Sequence, residues 1–179
     1  MFTTWLRENK YASWILTVLR VYLGWQWLTA GWEKLTGGFS AEKFLQNAVA
    51  HPVVGPDKEV LYPTYNAFLK SFALPHIGLF NFLVSTGEFL VGLGLVLGVL
   101  TTAAVFFGMV MNFAYMFAGT VSSNPWDVLI SIFVIVAGFN AGRIGGDYWV
   151  IPWVRKYMRK LFHIEVGASP TGGGGKVAG

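Results

Sequence analysis

A small set of polar side chains in this sequence stands where polar groups are costly. Arg20 and Glu88 sit inside long hydrophobic runs, and Asn112 interrupts a run that carries no charge. Gln26 and Trp27 belong to the aromatic stretch RVYLGWQWLTAGWEKL, which closes on Lys34 and Leu35, and Asp127 follows an Asn-Pro pair. A carboxylate set in hydrocarbon must find a partner or take up a proton. Guanidinium and amide groups nearby supply hydrogen-bond donors. Such a set suits proton transfer beside a small polar molecule. Glu88, Arg20 and Asp127 are the candidates to act on it; Gln26, Trp27, Lys34 and Asn112 are the candidates to bind it.

Each of these also has a plainer role. Arg20 can snorkel to an interface along its own stem, or pair with Glu88, which its depth makes feasible. A buried pair of that kind is as easily structural as functional, because Coulombic gain only offsets desolvation. Asn112 can be an interhelical hydrogen bond worth about 1 kcal/mol. Asn124 reads as a helix N-cap, with Pro125 at the first helical position and Asp127 at the third, where the helix dipole favours an anion. Glu33 and Lys34 can be solvated neighbours at a helix end. A helix cannot aim Trp25, Gln26 and Trp27 all inward.

The elements that carry these residues follow from composition. The chain is 54% apolar and 17% aromatic but only 12% charged, about half the supply of an average soluble domain. The fold class this implies is an all-α membrane protein, a four-transmembrane-helix bundle. Apolar segments cover 12–35, 77–100, 102–119 and 126–143, against a spanning requirement of about 20 residues. The fourth is long enough only if its Pro-marked entry and the approach to Arg143 contribute. Gly94 and Gly98 form a GxxxG pair, with Gly87 and Gly92 nearby, and read as a packing face. Residues 1–162 form the single domain, and 163–179 read as a flexible tail.

Orientation follows from lysine and arginine. Arg143, Arg155, Lys156, Arg159 and Lys160 cluster after the fourth segment, and Arg7 and Lys10 precede the first. The positive-inside rule then puts both termini in the cytoplasm of a multi-pass cell-membrane protein. The first apolar run lacks a small-residue cleavage site and reads as retained. The long outer linker holds SAEKFLQNAVA, a short helix capped by Ser40, and YPTYNAFLKSFALPH, an amphipathic interfacial helix ending before Pro75. Tyr148 to Phe162 reads as a basic amphipathic helix on the cytoplasmic leaflet.

Several chemistries are absent. The chain has no cysteine, so thiol chemistry, disulfides and thiolate metal sites are excluded. His51, His76 and His163 lie in the linker and tail, so neither haem nor metal is predicted. No phosphate loop or nucleotide fingerprint occurs. The formal charge of +4 is spread over segment ends, which argues against nucleic acid.

The pattern R-x-x-L-G-x-x-x-L-x-x-G-x-x-K-L, from Arg20 through Gly24 and Gly31 to Lys34 and Leu35, resembles the opening helix of the DoxX/DoxD family. So do the second segment STGEFLVGLGLVLG around Glu88, the Asn-Pro entry to the fourth, and the ending A-G-R-I-G-G-D from Ala141 to Asp147. The resemblance spans about 12–150 and implies a four-helix membrane bundle. Some members are subunits of thiosulfate:quinone oxidoreductase, and others are linked to catechol or quinone handling and oxidative stress.

The leading expectation is therefore a membrane subunit that takes a quinone as diffusible substrate and supports oxidation of a small donor such as thiosulfate. A quinone needs an apolar slot with a few polar groups for its carbonyl oxygens. Arg20, Gln26 and Asn112 would donate, Glu88 or Asp127 would exchange protons, and Lys34 would meet an anionic donor. Its partners would be lipid and a second oxidoreductase subunit or soluble redox protein, with a homo-oligomer left open. The alternative is a non-enzymatic scaffold that recruits a redox or stress-response partner through its basic helix. A small transporter comes third, since no inverted repeat is apparent.

Overall fold

The computed structural model describes residues 1–161, and among these the regular structure is helical. An isolated bridge between Val54 and Val60 is the exception. The tail expected over 163–179, with His163, and the last residue of the basic helix, Phe162, lie outside the described residues.

The helices are α1 (Phe2–Glu8), α2 (Lys10–Thr36), α3 (Glu42–Ala50), α4 (Pro63–Phe68), α5 (Ile77–Leu97), α6 (Thr101–Phe117), α7 (Asn124–Ala137), α8 (Phe139–Gly142) and α9 (Asp147–Leu161). Helices α2, α5, α6 and α7 close a ring, each packing on the next and α7 returning to α2. Asn9 starts α2, its side chain accepting from the backbone of Tyr11 and Ala12. At α3 the cap position falls on Ala41 rather than on the expected Ser40, which stands one residue earlier with its Oγ accepting from Glu42 N at 3.3 Å. The buried residues of α2 (Leu16, Arg20, Leu23, Gly24, Trp27, Gly31) recur every three or four positions. Its opposite face is apolar too, with Trp14, Val18, Tyr22, Trp25 and Trp32 exposed. A helix that is greasy all round belongs in a core or in lipid.

Among the described residues one helical run, Pro63–Leu97 with 35 residues, is long and apolar enough to cross a membrane; Thr101–Phe117 and Asn124–Ala137 are apolar but shorter. The segment over 63–76 does not stop before Pro75 as expected. A π-helical turn at Leu69–Ala73 and a 3-10 turn at Leu74–His76 carry it into α5. A proline that would break regular α-helix is accommodated where the hydrogen-bond spacing changes. Leu69 and Ala73 then pack with Ala41, Leu45, Ala48 and Ala118 in a second apolar cluster. The fourth apolar segment is also divided. Helix α7 ends at Gly138, whose φ of 57° and ψ of −127° suit glycine alone. Only the single turn of α8 follows it.

Glycine sets the register of α2 against α5. A Cβ at Gly24 would crowd Leu95 and Val96, one at Gly31 would collide with the backbone of Glu88 and Phe89, and one at Gly92 with the backbone of Leu28. The close-packing glycines are therefore these three. Gly94 faces Ala104, while Gly98 ends α5 with φ +64°, so the expected GxxxG face is not the main seam. Gly92→Val should lower stability by about 1–3 kcal/mol through overpacking, measured by thermal unfolding in detergent. Gly87→Ala, whose Cβ would meet only Met111 at ordinary contact distance, should leave the midpoint unchanged.

Candidate functional site

The α2–α5 register separates the two charges that seemed able to pair. Glu88 lies opposite Gly31, about eleven residues or ~16 Å along the axis from Arg20. Arg20 is 2% exposed and does not snorkel. Its Nη1 donates to Leu95 O at 2.6 Å and Val96 O at 3.5 Å, and its Nη2 to Ile144 O at 3.0 Å. The first two are terminal carbonyls of α5, which lack intrahelical partners and sit at the negative end of its dipole.

Asp147 completes this clasp by accepting from Leu100 N at 2.6 Å and Thr101 N at 3.1 Å, at the opening of α6. Gly98 lacks a Cβ where one would strike the guanidinium, a Cβ at Gly146 would strike the Val99 side chain, and Gly145 sits tightly against the backbone of Leu97 and Gly98. The sequence A-G-R-I-G-G-D thus ties the α5–α6 corner shut, and Arg20 belongs to that corner.

Near the other end of α2, Lys34 Nζ donates to Glu88 Oε2 at 2.6 Å, with side chains 26% and 4% exposed. Glu88 Oε1 accepts from Tyr115 Oη at 2.7 Å. Lys34 is therefore the partner of Glu88 rather than a solvated neighbour of Glu33. Phe39 stands 5.5 Å from the ammonium. Phe44 of α3 packs edge-on against the Tyr115 ring at 6.0 Å.

Tyr115 also borders a cavity of about 170 Å³ lined by Gln26, Trp27, Ala30, Asn112, Ser123, Asn124 and Asp127. Asn112 is fully buried, and neither its amide nitrogen nor its oxygen has a protein partner; Gln26 Nε2 lacks one as well. Buried amides are almost always paired, so Asn112 and Gln26 carry unused hydrogen-bonding capacity among the residues that line the cavity. Asp127 Oδ2 accepts from Ser123 Oγ at 3.0 Å. Asn124 does not cap α7; its Nδ2 donates back to Thr120 O at 2.9 Å. The turn before α7 starts the helix one residue early, leaving Ser123 at the cap.

Of the residues expected to act or bind, Gln26, Trp27, Asn112 and Asp127 meet around one cavity. Glu88 and Lys34 adjoin it through Tyr115, and Arg20 stands apart. Trp25 is 62% exposed while Trp27 is buried, so the helix chose one of its flanking indoles. Tyr115 was missed, although it follows Asn112 by three positions and so shares its helical face. Among the described residues no cluster of histidine and acid groups could hold a metal.

A second, apolar groove of about 610 Å³ runs between α5 and α6, lined by Leu90, Val91, Leu97, Ala104 and Phe107 among others. Val91 of that groove and Trp27 of the cavity both approach Gly108 on α6. Beyond the bundle, α9 exposes Tyr148, Trp149, Trp153 and Tyr157 alongside Arg155, Lys156, Arg159 and Lys160.

Greasy outward faces, buried charges partnered across helix seams and a small polar chamber within are features of a helical membrane protein. The chain belongs to the DoxX family, whose model matches residues 15–120. That range holds every residue of the Lys34–Glu88–Tyr115 cluster, α2 from Ile15 onward, and all of α5 and α6; Asp127 and Asp147 fall beyond it. No curated protein and no solved structure matches the sequence.

Proposed function

We propose that this DoxX-type protein is a quinone-interacting membrane subunit that supports oxidation of a small donor such as thiosulfate. In this reading α2, α5, α6 and α7 cross the bilayer, both termini are cytoplasmic, and a second oxidoreductase subunit or soluble redox protein delivers the electrons. The observation that carries it is a cavity of about 170 Å³ among whose lining residues Asn112 and Gln26 hold buried amide groups with no protein partner. That size suits one six-membered ring, since an engineered cavity of about 150 Å³ accepts benzene. Quinone carbonyl oxygens would accept from Gln26 Nε2 and Asn112 Nδ2, and an isoprenoid tail would follow the apolar groove past Trp27 and Gly108.

Asn112→Leu tests this reading, because binding and folding respond in opposite directions. Removing a buried amide without partners should leave stability unchanged or raise it by about 1–3 kcal/mol. Saturable quenching of tryptophan fluorescence by a short-chain benzoquinone should weaken about tenfold, the loss of one hydrogen bond. Undiminished quinone affinity in a stabilised Asn112→Leu protein would remove the amide from the site. Wild-type protein that binds no quinone would end the proposal.

A second reading, a scaffold that recruits a soluble partner, draws on the exposed aromatic and basic side chains of α9. Its signature would be a partner retained on wild-type membranes and released when Arg155, Lys156, Arg159 and Lys160 are all changed to glutamine.

A further inference from the structure

Hydrogen-bond direction at Tyr115 is fixed by its partners. The single hydroxyl proton is committed to Glu88 Oε1, so the phenolic oxygen offers only lone pairs to anything else. Glu88 Oε2 is held by Lys34, which is a quarter exposed while Glu88 is almost wholly buried. Polar contact thus runs without a gap from a partly solvated ammonium, through a buried carboxylate, to a hydroxyl on the cavity wall. Phe39 and Phe44 flank this line of contacts.

We infer that Tyr115 and Glu88 form a proton relay, with Tyr115 as the group that touches the ligand and Lys34 as the counterion of Glu88. The inference rests on the quinone reading and deepens it. A quinol hydroxyl set against Tyr115 would donate to its oxygen. The ligand O–H bond then breaks and its proton joins the Tyr115 oxygen, while the original Tyr115 proton passes to Glu88 Oε1. Tyr115 is regenerated, Glu88 becomes a neutral acid, and the ligand keeps the bonding electron pair as an oxyanion. Lys34 keeps its charge and loses its anionic partner. Run backwards, the same two transfers return a proton to the anionic oxygen of a reduced quinone.

The other titratable groups facing this line are Asp127 from α7, on the cavity wall, and Tyr65 from α4, whose hydroxyl is committed to Ala114 O at 2.9 Å. Asp127 is the competing proton acceptor. Any test must separate it from Glu88.

The experiment uses the full chain in lipid nanodiscs, with a short-chain benzoquinol and the matching benzoquinone as probes and infrared difference spectroscopy as readout. Benzoquinol binding to wild type should produce a carboxylic-acid C=O band that is lost in Glu88→Gln and retained in Asp127→Asn. Tyr115→Phe keeps the ring against Phe44 and should bind benzoquinone, which has no proton to donate, as wild type does. Its benzoquinol affinity should fall about tenfold, the worth of one hydrogen bond, and the band should vanish.

A band that survives in Tyr115→Phe, is absent from wild type with benzoquinol bound, or follows Asp127 instead overturns the relay and leaves the quinone site standing. Loss of benzoquinone binding in Tyr115→Phe also overturns it, because the hydroxyl would then serve packing. If wild type binds neither probe, the relay and the quinone reading fall together.

Discussion

Arg20→Ala is expected to cost this protein about 3–5 kcal/mol of stability, the range for breaking a buried charged network from one side. Three hydrogen bonds to the carbonyls of Leu95, Val96 and Ile144 disappear together. The carbonyls remain buried, and leaving buried acceptors unpaired costs more than the bonds themselves contributed. Asp147, whose carboxylate accepts from the first amides of α6, loses a neighbouring guanidinium. Lysine should not rescue, because one ammonium cannot reproduce the planar fork that reaches carbonyls of two segments. Thermal unfolding in detergent should show the midpoint falling by roughly 10 °C or more. Quinone binding measured below that midpoint should persist, since Arg20 stands ~16 Å from the level of Glu88. A variant of wild-type stability that no longer binds would return Arg20 to the site.

The second large effect is asymmetric. Lys34→Met leaves Glu88, 4% exposed, with Tyr115 as its remaining partner, whereas Glu88→Leu leaves Lys34, 26% exposed, with a path to water. The lysine substitution should therefore cost about 3–5 kcal/mol and the glutamate substitution clearly less, because only the first strands a fully desolvated charge. Lys34→Met combined with Glu88→Leu should recover most of the loss, since well-packed apolar replacements of a buried pair are often neutral. A double-mutant cycle on unfolding free energies measures the coupling directly. Strictly additive losses would mean that the contact at 2.6 Å contributes nothing of its own.

These two predictions divide polar groups that look alike in the sequence. Arg20 and Glu88 are both isolated charges in apolar runs, and depth counted from helix ends places them within reach of each other. What separates them is the α2–α5 register, set where Gly24, Gly31 and Gly92 allow backbone contact. A register depends on which small residues face each other, and neither helix reveals that alone. Tyr115 had a readable signal, its spacing from Asn112, but nothing in that spacing identifies Glu88 as the acceptor. Pro75 misled because a local rule for α-helix was applied where π and 3-10 turns replace it.

Composition by itself determined that this is a helical protein suited to lipid, because so few charges cannot cover a water-exposed surface. Periodicity and glycine placement determined where the long helices begin and end, to within a few residues except in the divided fourth segment and the helical run through Pro75. Those properties depend on neighbours near in the chain. The partner of each buried charge was decided only when α2, α5, α6 and α7 packed together. Lys34 reaches Glu88 across 54 positions of chain, and Arg20 reaches Ile144 across 124. Electrostatic pairing acts over a few ångströms in space, and only the tertiary structure turns separation along the chain into distance.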